Sequence, residues 1–559
     1  MSGLRSPFVS RLSTLSLAGA LVAAPAVLGL AAPARIPSSA TGLVPAALAG
    51  APPPVQQAPQ QAVTTLPPGN TEIVIQNLQT SQTATARVVV RRPDGTPVLD
   101  TTVGPIPPNA ARTLDLGAEA GLPTGWLTAV VESPTPLGVV ARTAWPMAPG
   151  PRARPDEPGP DMVAIANAAA PDLDVVVPVV VKEHRGATSV VAVHNTDAAR
   201  PAAVDARVAP LEGGAPGWQG HYDLAPRGAA ALDLGGPAFG SLPEGFAGVL
   251  RLTADAPIAV HAVHGVDTLS AGGMAVAAHP GFGTAAVAVR WHTIFRSPFP
   301  NAFGAGVNGS SFVVHNPGAG PATIDVVYTG AVGADCAGSV FRHPMLTVAP
   351  GATVEVSQRA DGGAGLPPRC FGAAAVQASA PVVAMAFEIG PVDDARYLYA
   401  YPALSPADHG ARLGSRLRDP DTSTVGRMGL TVFNPSPGPA GVTLELFDAA
   451  GTRLSHALCR NCSAQVEAGQ LQSWNALVRD FPRGIDGAAV IASDVAIAAY
   501  ASEFLAYGAA VFVASPAVAR SGAYALPFVA HAARVAPPTV GPPHATPPPA
   551  PTPPARPPA

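Results

Sequence analysis

Short apolar runs separated by turn residues recur along the whole chain, and one phrase of this kind occurs four times. Its clearest copy is SSFVVHNPGAGPATIDVVYTG, in which an apolar run ends at Asn316, a turn rich in Pro and Gly follows, and a second run starts at Ile324. Such runs predict β-strands. The other copies end at Asn77, Asn195 and Asn434, at steps of 118, 121 and 118 residues. A fixed period predicts a tandem repeat architecture.

A second landmark keeps its distance from the asparagine in every copy. It ends in Trp126, Phe246, Phe371 and Ile485, which lie 49, 51, 55 and 51 residues after the respective asparagines. Core positions are fixed by packing whereas loops vary in length, so this constancy indicates a duplicated domain.

About seven short runs with turn signals at roughly ten-residue spacing fill each repeat, a pattern typical of an antiparallel β-sandwich. Asp94-Gly95 between two β-rich runs predicts a hairpin. Val176–His184 and Tyr524–Ala533 are also apolar enough to be strands, which indicates close packing or strand sharing between neighbouring repeats. The predicted fold class is therefore all-β, with four tandem antiparallel sandwiches and disordered Pro-rich ends.

The predicted division of the chain has seven parts. They are a signal peptide (1–34), a Pro/Ala/Gln-rich spacer (35–68), four repeats (69–172, 173–290, 291–411 and 412–534) and a Pro-rich tail (535–559).

The N-terminus has the order of a secretory signal, with Arg5 and Arg11, then an apolar run, then small residues. Cleavage is expected after Ala34 or Ala49, and an uncleaved anchor is the alternative. The mature chain is expected to be secreted or at the cell surface, without a stable membrane span.

Composition restricts the functional classes. Net charge is −4 and there is no large basic block, so nucleic acid is not an expected partner. The sequence contains no nucleophile elbow, His-Glu-x-x-His motif, phosphate-binding loop, dinucleotide fingerprint or EF-hand loop. We therefore expect no enzyme activity, no catalytic or metal-binding residues and no cofactor.

Four cysteines lie in the last two repeats, and an even number in an exported chain indicates disulfides. We predict the pairs Cys336 with Cys370 and Cys459 with Cys462. The alternative for Cys459 and Cys462 is a redox Cys-x-x-Cys motif, but that motif requires a helix N-terminus to activate the thiol.

Other candidate residues have ordinary structural interpretations. His261 and His264 would point to opposite faces of a strand, so a shared metal is not expected. His194 and His315 occupy one repeat position where Gln76 and Phe433 stand elsewhere, which argues against a shared catalytic base. Asp156, Glu157 and Asp161 could form a calcium site, but the surrounding Pro and Gly indicate a solvated linker. Sugar-stacking surfaces are a second candidate, but packing is the ordinary interpretation of the tryptophans concerned, which are Trp145, Trp218, Trp291 and Trp474.

The four asparagines are predicted to end a strand and to bond turn backbone through the side-chain amide, since asparagine does this readily.

The landmarks around Asn195, Phe246 and Pro257 resemble those of tandem immunoglobulin-like β-sandwich repeats of bacterial secreted and surface proteins. The resemblance covers roughly residues 70–533 and implies display, adhesion or spacing. We expect an elongated, non-enzymatic scaffold or adhesin-like protein, whose partner would be an envelope component, a glycan or another surface protein. The alternative is a carbohydrate-binding accessory protein.

Overall fold

The structure is a computed structural model, and its described residues all belong to the unit Pro53–Ala559. They are 56–57, 69–145, 162–268, 273–283, 285–296, 310–331, 334–358, 365–392, 395–403, 410–412, 417–418, 428–454, 462–475, 485–505, 508–513, 515–516 and 522–531. The predicted signal peptide and Pro-rich tail lie outside them.

The described chain is all-β, and its only helical elements are two short 3₁₀ turns at Leu116–Ala118 and Pro237–Phe239. The strands before Asp172 are β1 (Gln56–Gln57), β2 (Asn70–Asn77), β3 (Ala84–Arg91), β4 (Pro97–Ile106), β5 (Ala111–Asp115), β6 (Gly125–Ser133), β7 (Leu137–Trp145) and β8 (Met162–Asn167).

Two further sets of seven strands follow. The first is β9 (Asp172–Lys182), β10 (Ala187–Asn195), β11 (Ala202–Pro210), β12 (Trp218–Leu224), β13 (Ala229–Asp233), β14 (Phe246–Thr268) and β15 (Gly273–Pro280). The second is β16 (Ala286–Arg296), β17 (Ser311–His315), β18 (Ala322–Gly330), β19 (Val340–Val348), β20 (Thr353–Ser357), β21 (Cys370–Val392) and β22 (Ala395–Pro402).

The last part of the chain contributes eleven strands. They are β23 (Gly410–Arg412), β24 (Leu417–Arg418), β25 (Met428–Phe433), β26 (Ala440–Asp448), β27 (Ser463–Val466), β28 (Leu471–Asn475), β29 (Asp486–Ser493), β30 (Ala498–Leu505), β31 (Gly508–Val513), β32 (Ser515–Pro516) and β33 (Gly522–His531).

The same antiparallel pairing order occurs four times. One sheet of each repeat, which we call the inner sheet, has the orders β5-β2-β7-β8, β13-β10-β14-β15, β20-β17-β21-β22 and β28-β25-β30-β31. The second, or outer, sheet has the orders β4-β3-β6-β33, β12-β11-β14-β9, β19-β18-β21-β16 and β27-β26-β29-β23. Alternating burial follows from the two-residue period of a strand, as along β18.

The long strands β14 and β21 each serve both sheets. β14 pairs with β11 up to Ala254 and with β10 from Ile258 onward, so it crosses between the sheets at Asp255–Pro257. Repeats 1 and 4 use two separate strands for the same task, β6 with β7 and β29 with β30.

The C-terminal strand closes the described unit on itself. β33 pairs with β6 in repeat 1, at the position that β9, β16 and β23 occupy in the other outer sheets. The last inner-sheet strands β8, β15, β22 and β31 also contact one another in a cycle, with β31 returning to β8. The repeats therefore form a closed ring.

Buried apolar side chains lie at all four junctions between consecutive repeats. Representative pairs are Trp145 with Val263 (repeats 1 and 2), Val179 with Met385 (2 and 3), Ala373 with Phe433 (3 and 4) and Ala488 with Val74 (4 and 1). Burial of apolar surface is the main favourable term in such packing, so these small junction clusters stabilise the contacts between repeats.

Two sequence-based expectations need correction. The elongated arrangement is wrong for the described unit, because β33 returns to repeat 1 and repeat 4 packs on repeat 1. The spacer is not wholly unstructured either, because the backbone of Gln56–Gln57 pairs in parallel with Gly220 and His221 of β12.

The prediction that Asp94-Gly95 forms a hairpin between paired strands is confirmed, since β3 pairs with β4 and Gly95 has φ of 87°.

Candidate functional sites at the repeat junctions

The repeated asparagine is fully buried in every copy, and its side chain bonds turn backbone. Asn77 Nδ2 donates to the carbonyl oxygens of Gln82 (2.7 Å), Ile106 (2.9 Å) and Pro107 (3.1 Å). Its Oδ1 accepts from Gln79 N at 2.9 Å. Both functions of the amide are thereby satisfied, which burial requires.

The other copies repeat this arrangement with their own partners. Nδ2 donates to the carbonyls of Arg200, Leu224 and Ala225 from Asn195, of Gly320 and Val348 from Asn316, and of Gly438 and Val466 from Asn434. Oδ1 accepts from the backbone N–H of Asp197, Gly318 and Ser436. Each asparagine therefore joins the end of its own strand to the end of the third strand of its repeat.

A tight turn with one left-handed residue follows that third strand. The left-handed residues are Asn109, Arg227, Gly351 and Gly469, with φ of 60°, 59°, 69° and 70°. In each turn the next residue's N–H donates to a carbonyl three residues earlier, as Ala110 does to Pro107. Positive φ at the third position is the signature of a type II turn. Asparagine and glycine tolerate it at low cost.

The preceding repeat contacts this turn in a head-to-tail sense. Ala229 N donates to Pro93 O at 2.7 Å and Thr353 N donates to Leu211 O at 2.6 Å, so the hairpin loops of repeats 1 and 2 bond repeats 2 and 3. The Arg112 guanidinium of repeat 1 donates to Ala449 O of repeat 4. At each of these junctions the accepting loop belongs to the preceding repeat and the donor belongs to the next one. The same holds where the ring closes, with repeat 4 preceding repeat 1.

The position before the asparagine is buried in every repeat, and in repeat 1 it contacts a neighbouring repeat. The Nε2 of Gln76 lies 3.4 Å from Ala489 O in repeat 4. His315 Nδ1 lies 3.0 Å from Thr353 Oγ1, and burial lowers the pKa of His315 to about 4. Burial also lowers the pKa of His194 to about 3. These imidazoles are neutral core groups at neutral pH.

Three buried side chains form a hydrogen-bonded line between β10, β14 and β15. Ser189 Oγ lies 2.8 Å from His264 Nδ1, and His264 Nε2 lies 3.0 Å from His279 Nε2. His279 Nδ1 lies 2.9 Å from Pro280 O, which can only accept. His279 therefore donates through Nδ1 and accepts at Nε2 from His264, whose Nδ1 accepts from the Ser189 hydroxyl.

In this arrangement both rings are neutral and each carries one N–H. Burial lowers the pKa of His264 well below its ordinary value and that of His279 to about 4. Phe387 of repeat 3 lies edge-on to His264, with ring centroids 5.0 Å apart. The line belongs to the junction of repeats 2 and 3.

His261 lies apart from this line, as strand alternation requires. Its Nε2 contacts Asn167 O of repeat 1 at 2.9 Å, and burial lowers its pKa to about 4. Within the part of the chain that the structure describes, no group of three or more His, Cys, Asp or Glu side chains suits a metal ion.

A disulfide joins Cys336 to Cys370 in the core of repeat 3. Cys462 is also disulfide-bonded, and Cys459 lies outside the described residues. The calcium candidates Asp156, Glu157 and Asp161 lie outside them as well.

The tryptophans proposed as sugar-stacking surfaces are core residues where the structure describes them. Trp145, Trp218 and Trp474 are 1%, 3% and 0% exposed, and Trp218 Nε1 donates to Ala238 O at 2.8 Å. A buried indole with a satisfied N–H is a packing group. The side chain of Trp291 is outside the description.

A cavity of about 30 Å³ lies at the junction of repeats 2 and 3, lined by Val181, His184, Arg185, Glu355 and Phe387 among others. That volume holds one or two waters and no organic substrate. No membrane-length apolar helix occurs among the described residues.

Comparisons with known proteins give little likeness. No family model matches the chain, and no curated protein matches it in sequence. Among solved structures, the full-length RrgB pilus protein from Streptococcus pneumoniae is similar over 80% of this chain and 86% of its own, at 10% identity and a TM-score of 0.11.

Sequence reasoning missed the line of Ser189, His264 and His279, because the residues are far apart in the chain and only the pairing of three strands joins them. It also missed that the asparagine turn is a contact point between repeats. A signal was present in the turn phrases PPNA, APRGA, APGA and EAGQ, which recur before the fourth strand.

Proposed function

We propose that this protein is an exported, non-enzymatic scaffold made of four antiparallel, immunoglobulin-like β-sandwich repeats, each formed by one inner and one outer sheet. Support comes from the pairing order, which recurs four times with the same direction of chain. Its partner would be a cell-envelope component, a glycan or another surface protein.

The observation that carries this proposal is that the recurring asparagines form hydrogen bonds inside the fold. The four asparagine amides bond backbone within their turns, and the positions before Asn77 and Asn316 bond neighbouring backbone or side chains. A polar group with all its hydrogen bonds made inside the fold stabilises that fold and is poorly placed to react. The four asparagines thus serve the rigidity of their turns.

Export is supported by the disulfide between Cys336 and Cys370, since such bonds persist in oxidising compartments. It is supported also by the order of charged, apolar and small residues at the N-terminus.

Cell fractionation of the full chain, combined with small-angle scattering of the recovered protein, tests this proposal. We expect the protein in the envelope or medium fraction, with a maximum dimension shorter than that of four sandwiches in line. A variant without residues 1–34 is the control and should stay in the cytoplasm. Recovery of the full chain in the cytoplasm with all cysteines reduced would contradict the proposal.

A further inference from the structure

The third strand of each repeat lies at the outer edge of its outer sheet, where unpaired backbone groups invite pairing with another chain. Three of these four edges carry a protective feature. β4 contains Pro97 and Pro105 and has irregular register against β3, β19 contains Pro344 and has a register shift against β18, and β27 is only four residues long. Proline, bulges and short length all discourage edge pairing.

β12 has none of these features. It runs for seven residues from Trp218 to Leu224 without proline, and its register against β11 is unbroken. Its outer side is instead occupied by Gln56–Gln57, which pair in parallel with Gly220 and His221. The one regular edge of the four is thus the one that the chain covers with its own N-terminal segment.

We propose that Gln56–Gln57 act as a cover that prevents β12 from pairing with β12 of a second copy of this chain. Strand addition to a free edge is a common mode of protein association. Two copies of one edge would pair antiparallel about a two-fold axis, which gives a closed dimer.

The sequence of β12 suits such self-pairing. With Gly220 opposite its own copy, Trp218 lies opposite Tyr222 and Gln219 lies opposite His221, so core-facing positions meet core-facing positions and outward-facing positions meet outward-facing ones. Asp223 is exposed, and in this register it lies opposite Gly217 and not opposite another carboxylate. No like charges meet.

The cover is short, and its advantage is its attachment to the same chain. A tethered segment acts at an effective concentration in the millimolar range. Two residues of pairing therefore exclude a second copy at ordinary protein concentrations, and their loss should expose β12.

The double variant Gln56→Pro/Gln57→Pro tests this, because proline has no backbone N–H to donate. Sedimentation velocity of the full chain over a wide concentration range should show a dimer whose Kd is at least tenfold tighter than that of the unmodified chain. Gln60→Pro/Gln61→Pro, a second glutamine pair in the same spacer, is the matched control and should not change the Kd. A variant that remains monomeric, or that forms aggregates of open-ended size, would overturn the proposal.

A second pair of substitutions tests whether β12 is the surface involved. Gln219→Lys/His221→Lys, added to the double proline variant, would place lysines opposite each other across the dimer and should restore the monomer. An unchanged thermal transition shows that the fold is kept. A dimer that survives these lysines would show that it forms elsewhere and would refute the role of β12.

Discussion

Asn77 and Asn195 hold their turns through the same three sequence distances. The amide of each donates to carbonyls 5, 29 and 30 residues further along the chain. Asn316 and Asn434 share a second set of distances, 4 and 32 residues. The turns of repeats 1 and 2 therefore share one spacing of bonded residues, and the turns of repeats 3 and 4 share another. In all four repeats the asparagine has the same role.

Substitution of Asn316 by alanine should destabilise the protein strongly. The change removes two donated bonds and one accepted bond at a fully buried position, and it leaves the carbonyls of Gly320 and Val348 without this partner. We expect a loss of about 2–3 kcal/mol in the free energy of unfolding, measured by urea denaturation of the full chain. Gln465→Ala, which removes an exposed amide from β27, is the control. Equal stability of the two variants would refute the role of Asn316.

Gly95 and Gly121 allow the contact between repeats 1 and 2 to be measured separately from backbone strain. Both have nearly the same left-handed φ, 87° and 85°. A Cβ at Gly95 would lie 2.7 Å from Pro226 O of repeat 2, whereas one at Gly121 would meet nothing within 4 Å.

Gly95→Ala should therefore cost more than Gly121→Ala, which carries only the penalty of positive φ, about 1–2 kcal/mol. We expect an additional loss of about 1–3 kcal/mol from the forced separation of the two repeats. Thermal denaturation of both variants provides the comparison. If the two variants unfold at the same temperature, the loop does not hold repeat 2.

The all-β class could be read from the sequence because strand periodicity and turn chemistry are local. The strands β2 and β10 end at the asparagine and β17 and β25 end one residue before it, since asparagine and a following Pro/Gly turn leave few alternatives. The hairpin at Asp94-Gly95 was equally accessible, because positive φ at Gly95 is a property of the dipeptide.

The closure of the ring was not accessible in this way. β33 belongs to repeat 1 although more than 350 residues separate it from β6, and its apolar pattern suits any outer sheet. Pairing at that distance depends on the curvature that successive junctions accumulate, which one repeat does not encode. The buried histidines were hidden for a similar reason, because a lone histidine in an apolar run carries no signal of its distant partner.

The disulfide between Cys336 and Cys370 should contribute substantially to stability. It closes a loop with a sequence separation of 34 residues, for which the chain-entropy estimate is about 3–4 kcal/mol. Cys336→Ala/Cys370→Ala should lower the urea midpoint accordingly. Peptide mapping without reductant checks the pairing itself, and a peptide that joins Cys336 to Cys459 or Cys462 would contradict it.

Acid should destabilise the protein through its buried histidines. Their pKa values in the fold are about 3 to 4 for His194, His261, His279 and His315, against about 6.5 in the unfolded chain. Below about pH 6.5 the unfolded state therefore binds more protons than the folded state. As the pH decreases from about 6.5 to about 4, the free energy of unfolding decreases as well. This stabilisation is fully present above about pH 6.5.

The double variant His194→Gln/His315→Gln tests that assignment, since Gln76 shows that glutamine suits the same position in repeat 1. Each removed histidine should reduce the loss of stability between pH 7 and pH 5 by about 2 kcal/mol. His343→Gln on β19 is the matched control for a histidine outside the buried core. An identical pH profile for the double variant would show that other groups cause the acid sensitivity.

Closure by the C-terminal strand can be captured covalently. Val130 of β6 and Ala525 of β33 are directly paired, and opposite residues of an antiparallel pair have Cα atoms about 4.5–5.5 Å apart, within the range of about 4.4–6.8 Å that a disulfide spans. Val130→Cys/Ala525→Cys should therefore form a bridge within one chain, visible as faster migration on a gel without reductant, and should raise the thermal midpoint because it closes a very long loop. The single variant Ala525→Cys is the control and should migrate as the unmodified chain does. A chain that ends at residue 521 should in addition lose stability and self-associate, since it leaves β6 as an open edge. Bridges that form only between two chains would show that the ring does not close on itself.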